Sequence, residues 1–126
     1  MSFSKLSESV EFYSVEDMND LYLVKVKYFS NSIRKKPPCL KPEKGMRYSP
    51  HFVVKGDEEY LGVTFTDGDE SVFDKEIYAL AVSIYEGVGY HKLVNDAEFL
   101  IMEGPYIVGE GVVKEIYKDN YYESCD

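Results

Sequence analysis

At 126 residues, 44% of them hydrophobic, the chain is one domain able to bury a core without disulfide or metal staples, and composition excludes a disordered chain. A net charge of −9 argues against non-specific nucleic-acid binding, which needs clustered cations against phosphate. Two widely separated cysteines, Cys39 and Cys125, fit free thiols of a reducing compartment; with no apolar leader after Met1 and no bilayer-spanning run, a soluble cytoplasmic protein without a membrane partner is expected.

Residues 1–19 mix polar and apolar side chains without a period and are read as an irregular N-terminal arm, with Phe12, Tyr13 and Val15 as its anchors. From Leu21 to Ser30 the sequence alternates, setting Leu21, Leu23, Lys25 and Lys27 against Tyr22, Val24, Val26 and Tyr28, and this predicts a strand with its lysines in solvent. The stretch Ser32 to Lys44 is the longest irregular connection. Pro37, Pro38 and Pro42 remove backbone donors there, and a loop of this kind in a small domain is a functional candidate.

The segment Gly45 to Val63 predicts a β-hairpin. Tyr48, Pro50, Phe52 and Val54 share one face, Lys55-Gly56-Asp57-Glu58 makes the turn, and a strand over Tyr60 to Thr66 follows; Tyr22, Tyr28, Tyr48, Phe52, Tyr60, Phe65 and Phe99 are read mainly as barrel material. Asp67-Gly68-Asp69-Glu70 is expected to be an ordinary turn and not the start of a calcium loop, because Phe73 and Lys75 spoil the continuation. Glu76 to Tyr85 is the next strand, with Ile77, Ala79, Ala81 and Ser83 on one face; its Ala and Leu leave a helix as the alternative. Glu98 to Met102 and Tyr106 to Tyr117 complete the set, and Gly109 and Gly111 stand where a bulge or tight barrel bend calls for glycine. The acidic tail 118–126 carries Tyr121 and Tyr122. Six antiparallel strands with short turns predict an all-β domain, a small Greek-key barrel or a sandwich over residues 20–117.

Charge is unevenly spread. Arg34, Lys35, Lys36, Lys41, Lys44, Arg47 and Lys55 are half of the fourteen basic residues, and only Glu43 opposes them within that span. The loop is either a solvated face or a cationic docking surface. His51 and His91 have no sequence partner that completes a catalytic triad, and two cysteines with two histidines lack the spacing of a zinc site. No enzyme activity, cofactor or metal is expected.

The order of motifs from Gly45 onward resembles the C-terminal (third) domain of translation elongation factor Tu. Gly45-Met46-Arg47-Tyr48-Ser49-Pro50-His51-Phe52 stands where that family has a segment like G-Y-R-P-Q-F, and Tyr60-Leu61-Gly62-Val63 stands where it has V-T-G-x-V. Phe99 to Val113 keeps the family spacing E-G-x-x-x-V-G-x-G-V-V without a gap, at Glu103-Gly104, Val108-Gly109 and Gly111-Val112-Val113. The resemblance covers residues 20–117 and implies a six-stranded antiparallel β-barrel. It also implies that His51 and Leu100 occupy the side facing the GTPase domain, and that Glu103 and Gly104 form the turn that approaches tRNA. The basic residues around that turn are replaced here by Met102 and Tyr106, which removes phosphate-pairing charge. No glycine-rich phosphate loop ending in Gly-Lys-Ser/Thr is present.

Together these readings predict a non-enzymatic protein-binding module, a translation-linked regulator or immunity-type inhibitor whose partner is a protein such as a translation GTPase. Its expected surface combines Arg34, Lys35, Lys36, Lys41, Arg47, His51, Leu100, Glu103, Gly104 and Tyr106. The alternative is an RNA- or tRNA-binding accessory of translation that uses the basic loop 34–47.

Overall fold

The computed structural model describes residues 20–43, 45–85 and 89–117. The N-terminal arm, Lys44 and the tail with Cys125, Tyr121 and Tyr122 lie outside the described residues. Six strands form: β1 (Leu21–Tyr28), β2 (His51–Val54), β3 (Leu61–Gly68), β4 (Glu76–Ser83), β5 (Glu98–Glu103) and β6 (Tyr106–Tyr117). Every neighbouring pair is antiparallel, and the strands close into a barrel in the order β1-β4-β3-β2-β5-β6. Closure leaves no open sheet edge. The helix alternative for residues 76–85 is overruled, and helical structure among the described residues is one 3-10 turn, Tyr90–Lys92.

The order explains the long loop. Strands β2, β3 and β4 follow one another as a meander, while β1 sits beside β4, the Greek-key arrangement. Two strands separate β1 from β2 whichever way round the barrel one counts, so residues 29–50 must cross one end of it. That end also carries the β3–β4 connection and the tight β5–β6 turn. Leu40, 2% exposed, drops from the crossing loop into the core, and a Cβ at Gly68 would lie 2.8 Å from the Leu40 Cβ. The loop is therefore a plug as much as a connection.

Alternation is read correctly along β1 and β4, where Tyr22, Val24, Val26 and Tyr28, and Ile77, Ala79, Ala81 and Ser83, are the buried sets. Phe52, Phe65 and Phe99 join them, but Tyr60, expected in the barrel, is 43% exposed. One turn is corrected. Asp67 and Gly68 continue β3, pairing with Leu80 and Ala79, because a bulge at Thr66 lets the strand run past the expected break.

Gly109 sits beside a bulge: Ile101 pairs with Gly109 and Met102 with Ile107, which leaves Val108 as the extra residue. Gly111 answers a different need. A Cβ there would lie 2.6 Å from the Phe99 ring and 2.8 Å from the Lys25 carbonyl oxygen. The ring is packed and the carbonyl belongs to a paired strand, so neither yields freely. Gly111→Ala is expected to cost about 1–3 kcal/mol through overpacking, measured by urea unfolding; an unchanged midpoint would contradict this close approach.

Candidate functional site

The loop end of the barrel assembles the densest set of predicted site residues. Arg34 is fixed from three directions. Its Nε donates to the Lys36 carbonyl at 2.9 Å, its Nη1 pairs with the Glu103 carboxylate, and its guanidinium carbon stands 5.5 Å from the centre of the Tyr48 ring. The Ser32 hydroxyl accepts from the Arg34 backbone N–H at 3.2 Å and donates to the Phe29 carbonyl at 2.8 Å, which shapes the loop just before it. The Tyr48 hydroxyl donates to the same Glu103 oxygen at 2.5 Å. Burial, together with the buried Tyr28 phenol and the Glu103 carboxylate beside it, pushes the Tyr48 phenol far above its ordinary range, so it remains a donor.

Glu103 can play this part because β5 ends there. Gly104, at φ +59°, takes the left-handed conformation that the tight turn to Tyr106 requires, and Glu103 and Tyr106 pair across it. Other contacts hold the mouth together. The Ser71 hydroxyl donates to the Pro38 carbonyl. Asp74 accepts from the Ser30 hydroxyl at 2.6 Å and from the Ser30 N–H at 3.1 Å, and these bonds hold its carboxyl below the usual carboxylate range.

A groove of about 390 Å³ opens on this end, lined by Arg34, Pro38, Cys39, Lys41, Arg47 and Tyr48, with Glu43 and Met46 also contributing. Glu43 and Met46 exchange backbone hydrogen bonds of 3.3 and 2.8 Å across a tight reversal, with Gly45 at φ +79°. The reversal presents Met46, 74% exposed, and Arg47 to solvent. Cys39 is a free, exposed thiol that donates to the Lys41 carbonyl.

His51 and Leu100 sit apart from the groove but close to each other. In the β2–β5 ladder His51 pairs with Met102 and Val53 with Leu100, and all four point outward because Phe52, Phe99 and Ile101 point in. Val53 and Met102 face outward yet are only 7% exposed. The His51 ring lies tilted 5.6 Å from the Tyr60 ring. His91 is exposed in the 3-10 turn. Among the described residues no group of three or more His, Cys, Asp and Glu side chains is placed to hold a metal ion.

The predicted surface thus divides. Arg34, Lys41, Arg47 and Glu103 meet at the groove, Gly104 and Tyr106 form the adjoining turn, His51 and Leu100 occupy the wall below it, and Lys35 and Lys36 are exposed on the crossing loop. Lys55 leaves the basic cluster. It lies at the other end of β2, held by Glu98 at 3.4 Å and Glu110 at 3.1 Å. Met46 and Tyr48 were missed as site residues, although Gly45 and the proline-bearing loop before it marked the reversal that exposes Met46.

Beneath the groove lies the Tyr28 hydroxyl, wholly buried and near Tyr48 but without hydrogen-bonding geometry to any described residue. An unpaired buried hydroxyl costs about 1–3 kcal/mol. Tyr28→Phe is therefore expected to melt at the same temperature as the parent or higher, and a loss above about 1 kcal/mol would show that the hydroxyl is satisfied.

The chain matches no protein-family model and no curated protein. Among the described residues no helix is long and apolar enough to cross a membrane.

Proposed function

We propose that this protein is a non-enzymatic protein-binding module that recognises its partner with the loop end of the barrel. The observation that carries the reading is where the unpaired cations lie. Among the described residues, Lys25, Lys27, Lys55 and Lys92 on the barrel wall and at its far end each have a carboxylate within 4 Å, at Glu76, Glu110, Glu98 and Asp57 among others. Lys35, Lys36 and Arg47 have none, and they stand on the loop that also exposes Met46; among the described residues Lys75, in the β3–β4 connection at the same end, likewise has none, and Lys114 on β6 is the one such cation away from that end. Loops held by a rigid scaffold are where recognition residues concentrate, and Arg and Met are enriched at protein interfaces.

The likeness to the third domain of elongation factor Tu, supported by the Glu103 to Val113 spacing and by the six-stranded barrel, extends the proposal to a cytoplasmic, translation-linked role as regulator or immunity-type inhibitor. That extension rests on analogy of fold and motif.

The test is a nuclease-treated pull-down from native cytosol with the parent protein and with Lys35→Glu/Lys36→Glu/Arg47→Glu. A defined protein retained by the parent and lost from the triple variant, whose far-ultraviolet circular dichroism is unchanged, is the expected result. Prey that vanish with nuclease would transfer the loop to an RNA-binding role. Prey held equally by the variant would move the binding face to the His51–Leu100 wall.

A further inference from the structure

We infer that the segment this groove takes is an acidic peptide stretch of the partner, its carboxylates set against Arg47 and Lys41 and an apolar side chain laid on Met46 and the Tyr48 ring. The inference rests on the protein-binding reading above and names the chemistry of the ligand.

Three observations converge on it. The first is the field. Residues 34–47 hold six cations against Glu43, a net +5 in a chain of net −9, which leaves −14 on the rest of the sequence. An acidic segment is repelled by most of the molecule and attracted at one end, and this orients encounter before contact. The second is availability. Arg34 is already committed to Glu103, but Lys41 reaches Asp67 only at 3.8 Å with its side chain 67% exposed, and Arg47 has no carboxylate partner among the described residues. A solvent-exposed pair at that distance contributes little, so an incoming carboxylate displaces little.

The third is shape. The groove is lined by the buried Pro38, the Tyr48 ring and the Met46 side chain, apolar surface that shares the lining with Arg34, Lys41 and Arg47. Its volume, about 390 Å³, holds a few side chains. A nucleic acid fits less well, because phosphate affinity grows with the number of neutralising cations and Glu43 stands in the lining.

The experiment is fluorescence anisotropy with a short fluorescein-labelled peptide of repeated Glu-Glu-Leu, beside a Lys-Lys-Leu peptide and an oligouridine. The expected result is saturable binding of the acidic peptide alone, weakened by added salt and reduced about tenfold or more in Lys41→Glu/Arg47→Glu. Arg47→Glu alone, at an exposed position, shows a smaller loss with an unchanged melting temperature, which separates binding from folding. Binding of oligouridine in preference to the peptide, peptide affinity untouched by the double variant, or no binding by the acidic peptide each overturns the inference. If the peptide fails while the pull-down partner still depends on Lys35, Lys36 and Arg47, the protein-binding reading stands and only the acidic occupant falls.

Discussion

Phe99→Ala is expected to lower the stability of the domain by about 3–5 kcal/mol, a large part of the total for a domain of this size. Phe99 is fully buried, stacks on Phe52 with ring centroids 4.0 Å apart and fills the space against Gly111. The rings continue from there. Phe52 meets Phe65 edge-on at 5.9 Å, Phe65 stacks on Tyr48 at 5.6 Å, and Tyr48 meets Tyr28 at 6.0 Å. This aromatic column runs from the middle of the barrel to the ring beneath Arg34, so its truncation removes packing that supports the groove as well as the core. The check is equilibrium urea unfolding, in which the midpoint falls at constant slope. A loss below about 1 kcal/mol would mean that the barrel repacks around the missing ring.

Leu40→Ala is expected to cost about 2–5 kcal/mol and to do something Phe99→Ala does not. Leu40 is the one aliphatic side chain of the crossing loop in the core cluster, where it packs against Gly68 beside Ala79. Without it, residues 29–50 keep the Ser71–Pro38 and Asp74–Ser30 hydrogen bonds and the packing of Tyr48, but the stretch between Pro38 and Tyr48 loses its apolar anchor. The variant should therefore be cut by trypsin within the loop, at Lys35 or Arg47, since Lys36 and Lys41 each precede a proline that blocks cleavage, under conditions that leave the parent intact. Destabilisation without faster cleavage would show that the polar contacts alone hold the loop down.

Much of the barrel was legible in the sequence because its strands obey a period of two. Tyr22, Val24, Val26 and Tyr28 could be assigned to one face from their spacing alone, as could Ile77, Ala79 and Ala81. The end of β3 was not legible, since Asp67-Gly68 has turn chemistry and only its partners on β4 and the space beside Leu40 make it strand. Tyr60 looked like core because β-propensity does not say which face an aromatic residue takes. The basic loop was visible as composition, but its division into paired and unpaired charge was not. Arg34 finds Glu103 across 69 positions, and Lys55 belongs to Glu98 and Glu110 through strand register. No local pattern encodes such pairings.

Amide chemical-shift mapping on the isotope-labelled protein, titrated with the Glu-Glu-Leu peptide, tests the central claim most directly. Shifts confined to residues 34–48 and the 103–106 turn are the predicted result, with the β4 wall silent. Shifts centred on His51, Tyr60 and Leu100, or spread evenly over the barrel, would contradict recognition of an acidic partner at the loop end.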